Sequence, residues 1–575
     1  MDTDTGKDVL ERRSLEEVRG EILGRDLLFR TPFGPRHLFY ADYTASGRSV
    51  ASIEERLLRI QHAYANTHTE DDYTGQTLTA LLHQAERKIK AWVNAGPSGR
   101  IIAVGSGSTG ALQKLQEILG VYIPPLARER VTRTFREQCP GRGPWTEIPD
   151  HKPVVFIGPY EHHTNELMWR EAIVDVVKVD LDDRGRLDLG DLDRRLADPG
   201  FAGREKYVSL SAGSNINGLK TDVHAVARIA HARGALAFFD FAAVAPYVPI
   251  DMNRGGEDFF DAVFFSPHKF LGGPGSCGIL VFNERIYRRD LAPTAAGGGT
   301  VVYVGFHEHD FSPDIETRER AGTPPILQAL KAAMAMELKE RIGTDVIAKA
   351  ETELLGLFLD GLESVPGIKM ISDYRRGDHI PIVSFNIRHG DRVLHPKFVT
   401  KLLNDLFGIQ SRAGCSCAGP YGHILLGVDD AASRKFRRVV LEGHQGINPG
   451  WVRINIHYAF TPEDVGFLVR AVAFAARFGH LFLRDYVFDL ETGEWTHAGP
   501  RGRGRDRGAN GLDAPLERID PDEIPRLREA CFAQAAEEAR RLEAAGEPAY
   551  AVDPPHVEAV KNFHYVRAAP KAASS

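Results

Sequence analysis

Over the first 325 residues, short runs of consecutive apolar positions alternate with stretches in which apolar residues recur every three or four positions. The runs at 100–104, 153–158, 206–210, 235–240, 261–265 and 278–282 predict buried strands. Between some of them, 109–119 and 223–233 read as helices, the second stopped by Gly234. This is the βα alternation of a mostly parallel sheet. The pattern changes after Pro324 and Pro325. A helix is predicted from 326 to about 362, in one or two pieces, then a strand at 380–387, a helix at 396–406, a strand at 451–457 and a helix at 462–478. The expected organisation is an N-terminal helical segment (1–30), a large domain (31–325), a smaller α+β domain (326–485) and a C-terminal appendage (486–575).

Two pieces read as additions. Residues 125–150, rich in Pro, Arg and Gly, form a long connection between a helix and a strand. The appendage opens with Arg501-Gly-Arg-Gly-Arg-Asp-Arg-Gly508, expected to be a solvated loop, followed by one charged amphipathic helix over 525–545. A basic stretch, 433–443, also looks inserted.

Composition narrows the class. With 43% hydrophobic and 26% charged residues the chain can build a large core. A net charge of -7 argues against a nucleic-acid binder. Five cysteines cannot make a disulfide framework. The polar N-terminus lacks a signal-peptide core, and no stretch of about 20 apolar residues is expected to span a bilayer. A reduced, cytoplasmic protein is expected, with no nucleic-acid or membrane partner.

Chemistry gathers around Ser266-Pro-His-Lys269, where a strand runs into a glycine-rich turn. A lone lysine there would be a surface residue; a buried one at a strand end suits a Schiff base. The strand 236–240 ends on Asp240, a carboxylate that can pair with a pyridine nitrogen, although it also suits a turn cap. Val104-Gly-Ser-Gly-Ser-Thr-Gly110 leads from a strand into a helix, and its amides with the hydroxyls of Ser108 and Thr109 suit a phosphate. Its glycines also fit G-x-G-x-x-G, but the acidic residue a dinucleotide fold needs about 20 positions on is missing. Together these are parts of a pyridoxal phosphate (PLP) site.

The motifs then extend into a resemblance. From about Tyr40 to Asp485 the chain resembles the class V aminotransferase family of fold-type I PLP enzymes, in its cysteine desulfurase and selenocysteine lyase branch. Ser266-Pro-His-Lys269 is similar to S-x-H-K, which implies Lys269 as the aldimine lysine with Ser266 and His268 on the phosphate. Tyr160-Glu-His-His-Thr-Asn165 implies that His162 stacks on the cofactor ring. Ser214-Asn-Ile-Asn-Gly218 implies Asn215 near the phenolic oxygen. Ala321-Gly-Thr-Pro324 implies that Thr323 reaches the phosphate of the neighbouring subunit of a homodimer, with Gly297 to Gly299 near the same seam. Taken singly, these segments are ordinary loops and turns; their order is what carries the resemblance. The fold it implies is a large, mostly parallel seven-stranded sheet domain with a smaller α+β domain.

Ser411-Arg-Ala-Gly-Cys-Ser-Cys-Ala418 is similar to the desulfurase R-x-G-x-x-C, implying Cys417 as the nucleophile that takes sulfur from L-cysteine. In its short-loop form the motif also implies a sulfur-acceptor protein. Trp451-Val-Arg-Ile-Asn-Ile456 implies Arg453 as the substrate-carboxylate clamp. Two departures stand out: Ala243 where the family commonly has glutamine, and Cys415 where many members have histidine. C-x-C with His423 does not have the usual zinc spacing, and His307-Glu-His-Asp310 reads as a polar loop, so no metal is expected. Cysteine desulfurase leads; a selenocysteine lyase, epimerase, C–S lyase or aminotransferase of the same family stays open.

Overall fold

The computed structural model describes residues 10–67, 71–138, 152–415, 417–499, 516–546 and 548–567. It divides into two compact units: Met1–Ile22 with Ala45–Ala348, and Leu23–Thr44 with Lys349–Ser575. The sequence put the main boundary at Pro325; in the structure it falls after Ala348, because the helix Ile326–Ile342 buries its residues in the first unit. The 1–30 segment is not simply helical either. Within it Leu15–Glu21 is a helix, while Leu28–Thr31 is a strand paired with Gly34–His37 in the second unit.

The first unit is built on seven strands: β1 (Gly99–Val104), β2 (Val154–Ile157), β3 (Asp175–Lys178), β4 (Lys206–Ser211), β5 (Leu236–Asp240), β6 (Ala262–Phe265) and β7 (Gly278–Asn283). They lie in the order β1-β7-β6-β5-β4-β2-β3. Only β7 runs antiparallel to its neighbours, β1 and β6. Six of the strands are the apolar runs of the sequence. The seventh, β3, is four residues of Asp-Val-Val-Lys with every position half-buried, too short and mixed to announce itself.

Helices α1 (Gly107–Ile118), α2 (Pro125–Gln138) and α3 (His163–Glu171) follow β1 and β2 in the chain. Leu112 and Leu115 of α1 and Trp169 of α3 pack with Ile102, Val155, Phe238, Phe264 and Leu280 of the sheet in one buried cluster. Helix α2 is a correction: the supposed irregular connection begins as a helix, although none of its residues is buried. Residues 139–151, including Cys139, lie outside the described residues, as does the Arg/Gly run at 501–508. The long helix predicted from 326 is two, α4 (Ile326–Ile342) and α5 (Thr344–Glu363), broken at Gly343, whose φ of 90° is open to glycine.

The second unit centres on an antiparallel sheet of β8 (Ile368–Met370), β9 (Ile382–His389), β10 (Arg412–Gly414) and β11 (Trp451–Asn455), in the order β8-β9-β11-β10. Among its helices are α6 (Pro396–Phe407), α7 (Gly419–Leu426), α8 (Pro462–Phe478) and α9 (Ile524–Ala544). Phe407 packs against Phe474 of α8 and Phe532 of α9, ring centroids 5.5 and 4.7 Å apart. The predicted appendage is therefore part of this unit. The Val393 amide donates to the Asn562 carbonyl, and Lys561 is buried between Asp553 and Glu558, each 2.8 Å away. One further correction concerns Pro462–Asp485, which by length and composition is apolar enough to cross a bilayer; half of that window is buried inside the unit.

Phe264 on the central strand β6 is fully buried. Phe264→Ala should remove about 3–5 kcal/mol of stability, read as a lowered denaturation midpoint. An unchanged midpoint would mean that this cluster is not the core of the first unit.

Candidate active site

The sheet register gathers the candidate residues of the first unit. Ser211 pairs with Asp240, Asp240 with Phe264, Phe265 with Ile279, and Gly278 with Val104. The chain segments leaving β1, β4, β5 and β6 thus start from one edge of the sheet, where open α/β sheets bind ligands.

After β1 the chain turns through Gly107, at φ +56°, into α1. A Cβ on Gly107 would lie 2.8 Å from Ser266 Oγ, and one on Gly278 would lie 2.0 Å from the Gly107 carbonyl oxygen. These glycines let the Ser108 amide donate to Ser266 Oγ at 2.8 Å. Thr109 Oγ1 and Thr164 Oγ1 are 2.9 Å apart, joining the starts of α1 and α3. Ser266, Pro267, His268 and Lys269 follow β6 directly, the last three in a single 3-10 turn. The His268 carbonyl accepts from the Gly47 amide at 2.9 Å and the Ser46 hydroxyl at 3.1 Å, fixing that turn. Burial, with Lys269 beside it, lowers the His268 pKa to about 4, so the ring is neutral at pH 7.

Asp240 is buried at the end of β5, its Oδ1 accepting from the Ala242 amide at 2.8 Å. Burial raises its pKa to about 6, against the pull of that amide and of the Lys269 charge. Ala243 is buried in the following turn. His162 caps α3, its Nδ1 accepting from the Thr164 amide at 3.1 Å. Asn215 is buried in a turn closed by the Gly218 amide on the Ser214 carbonyl at 2.9 Å. Thr323 is exposed, with its Oγ1 accepting from Asn66 Nδ2 at 3.0 Å. That contact joins Thr323 to the segment after the helix Ala51–Gln61.

One residue escaped the candidate set although it stands inside a quoted motif. Glu161 is buried, and its carboxylate accepts from the Ser211 amide and hydroxyl, from Asn165 Nδ2 and from the Gly158 amide, at 2.6–3.2 Å. Burial dominates those donors and lifts its pKa to about 7, with Asp240 adding to the rise. A glutamate beside an apolar strand was its only signal in the sequence.

The second unit holds Cys417 and Arg453. Arg453 lies on β11, directly opposite Arg412 of β10. It is 3% exposed, and its Nη2 donates to Asp42 Oδ1 at 2.8 Å. Burial lowers its pKa, Asp42 opposes that, Arg412 adds to the fall and Cys417 weakly opposes it, so Cys417 is within electrostatic reach. Asp42 was missed, because nothing in the sequence ties it to a strand more than 400 positions on. Cys415 and Cys417 are free and half-buried, whereas Cys277 and Cys531 are buried. Cys417 has φ +58°, one of two non-glycine residues with positive φ among the described residues. His423 is turned onto its own helix, Nδ1 lying 2.7 Å from the Gly419 carbonyl oxygen.

The pattern defining the aminotransferase class-V family matches residues 145–468. A probable cysteine desulfurase of Streptomyces coelicolor is 28% identical over 391 residues, 67% of this chain and 84% of the relative. Another from Halalkalibacterium halodurans is 27% identical over 388 residues, with the same two shares. Among solved structures, a cysteine desulfurase from Thermococcus onnurineus superposes with a TM-score of 0.62 at 22% identity, covering 82% of this chain and all of that one. The cysteine desulfurase CsdA of Escherichia coli gives 0.58 at 21% identity, covering 81% and 99%. At such identities the structural matches establish the fold: a fold-type I architecture with a large, mostly parallel sheet.

Glu161 fixes a pH dependence. Its folded pKa of about 7 lies above the ordinary 4.5, so between those values the folded state holds a proton that the unfolded state has lost. Stability from this group is present below about pH 4.5 and falls as pH rises towards 7, by roughly 1.4 kcal/mol per pH unit. Denaturation of cofactor-free protein across this range should show the fall, and Glu161→Gln should flatten it. An unchanged slope in the variant would rule out Glu161 as its source.

Proposed function

The chain belongs to the aminotransferase class-V family, and from that premise we propose that it is a PLP-dependent cysteine desulfurase. It would convert L-cysteine to L-alanine and hold the sulfur as a persulfide on Cys417. The observation that carries this reading is the free, half-buried Cys417 within electrostatic reach of Arg453, at the position of the desulfurase motif. The relatives named probable cysteine desulfurases support it.

The residues of the first unit fit the cofactor. Gly107 and Gly278 keep the start of α1 clear of side chains, where amides and the hydroxyls of Ser108, Thr109 and Ser266 suit a phosphate, with His268 beside them. The buried Asp240, drawn by the Lys269 charge, suits a pyridine nitrogen that must stay protonated. His162 would cover the ring and Asn215 would bond its phenolic oxygen. When bound, the cofactor supplies a ring that withdraws electrons from the substrate Cα.

The side chains then divide the work. Arg453 offers a guanidinium to the substrate carboxylate, which must compete with Asp42 for it. Lys269 would move the proton at the substrate Cα. Cys417 acts as thiolate on the substrate sulfur: the carbon–sulfur bond breaks, a sulfur–sulfur bond forms, and alanine leaves. Thr323 would serve the phosphate of a second copy, making the protein a homodimer, and a protein acceptor would take the sulfur. A reducing cytoplasm suits two thiols that must stay free.

Protein loaded with PLP and given L-cysteine should form alanine and, with excess thiol, sulfide. Cys417→Ser should lower alanine formation by roughly a thousandfold or more, the scale of a lost nucleophile. Borohydride treatment followed by peptide mass mapping should find the cofactor's mass on Lys269, and none in Lys269→Ala. Alanine undiminished in Cys417→Ser removes that residue from the chemistry; a label elsewhere than Lys269 overturns the cofactor assignment.

A further inference from the structure

The loop between β10 and α7 carries two thiols. It is anchored at both ends. Upstream, Gly414 pairs with Trp451, and the backbone is so close there that a Cβ on Gly450 would lie 2.7 Å from the Gly414 Cα. Downstream, Ala418 is fully buried and opens α7. Between the anchors the Ala418 amide donates to the Cys415 carbonyl at 3.2 Å, closing a turn with Cys415 at its first position and Cys417 at its third. The left-handed φ of Cys417, which costs a non-glycine residue about 1–2 kcal/mol, belongs to that turn. Two steps of 3.8 Å hold the Cα atoms within about 7.6 Å of each other, a bound that admits the roughly 4.4–6.8 Å a disulfide spans. Among the described residues the other cysteines are out of contention: Cys277 and Cys531 are buried, and burial pushes the Cys277 thiol up to about 12. Of the described cysteines, Cys415 and Cys417 alone are half-buried, and Cys417 lies within electrostatic reach of Arg453.

Resting on the desulfurase reading above, we infer that Cys415 is the resolving thiol of this enzyme. Its thiolate attacks the inner sulfur of the Cys417 persulfide. A Cys415–Cys417 sulfur–sulfur bond forms, the bond from Cys417 to the terminal sulfur breaks, and hydrosulfide leaves. Cys415 sulfur is oxidised and the terminal sulfur reduced, so the step needs no external oxidant. The disulfide closes a small ring, and strained disulfides are the readily reduced ones. An external dithiol then restores both thiols, becoming a disulfide itself. The chain can therefore release sulfur as free hydrosulfide, and any protein acceptor competes with Cys415 for the persulfide.

The test uses the PLP-loaded full chain, anaerobic, with one equivalent of L-cysteine and no other thiol, followed by acid quench, alkylation and peptide mass mapping. Wild type should yield alanine, a matching amount of sulfide, and a 415–417 peptide carrying an internal disulfide. Cys415→Ser should yield alanine but at least about tenfold less sulfide, with the persulfide retained on Cys417. With excess dithiothreitol, which attacks the persulfide directly, Cys415→Ser should recover wild-type alanine formation, showing that its fold and first chemical step are intact. Equal sulfide from wild type and Cys415→Ser, a persulfide surviving on wild-type Cys417, or sulfur found on Cys415 each overturn the inference while leaving the desulfurase reading standing. Failure of Cys415→Ser to form alanine even with dithiothreitol also overturns it. Absence of alanine from wild type defeats the desulfurase reading first, and this inference with it.

Discussion

The hydrogen bond from the Ser108 amide to the Ser266 hydroxyl, 2.8 Å long, is the contact on which the first unit's site depends. It joins the helix start after β1 to the turn after β6, two strands that are not neighbours in the sheet. Strand β7 lies between them and runs the other way, so its first residue, Gly278, sits level with the last of β1. A side chain at Gly278 would occupy the place of the Gly107 carbonyl, and one at Gly107 would meet Ser266. The missing side chains are therefore what lets the polar groups of α1 and of Ser266-Pro-His-Lys269 approach one another. The single antiparallel strand is a structural condition for that polar cradle.

Around that cradle burial sets the charges. Asp240 and Glu161 are both removed from water, and burial raises both pKa values. Their surroundings differ. Glu161 is held by amide and hydroxyl donors from β4 and α3, which orient the loop carrying His162. Asp240 has one amide donor and the charge of Lys269. A carboxylate with one amide donor keeps capacity for a further one, whereas the four donors on Glu161 already fill it. Two buried carboxylates of the same unit, from different motifs, are thus told apart by their partners.

In the second unit the constraint is a pair of arginines facing each other across β10 and β11. Like charges at that distance repel, and Asp42 relieves the strain by pairing with Arg453. The loop continuing from β10 enters the same field with two thiols and a left-handed residue between fixed ends. Cys415 and Cys417 are both half-buried in that loop, with the Ala418 amide donating to the Cys415 carbonyl.

Local sequence determined a good deal. Long apolar runs are buried wherever the fold places them, so six of the seven large-sheet strands, the helix Pro462–Phe478 and the turn carrying Lys269 were legible from patterning alone. The motif segments carrying Ser108 and Lys269 were legible as a strand-to-helix turn and a strand-end turn, which the structure places at the ends of β1 and β6. Strand β3 was not, since four mixed residues carry no period. Helix α2 was hidden by its arginines and its lack of a buried face. The boundary after Ala348 and the inclusion of 516–567 in the second unit were decided by which surfaces pack, a non-local matter. So were the pairing of Asp42 with Arg453 and the donors around Glu161. Propensity and motif act over a few residues, but burial, charge pairing and close backbone approach exist only between segments that the fold has brought together.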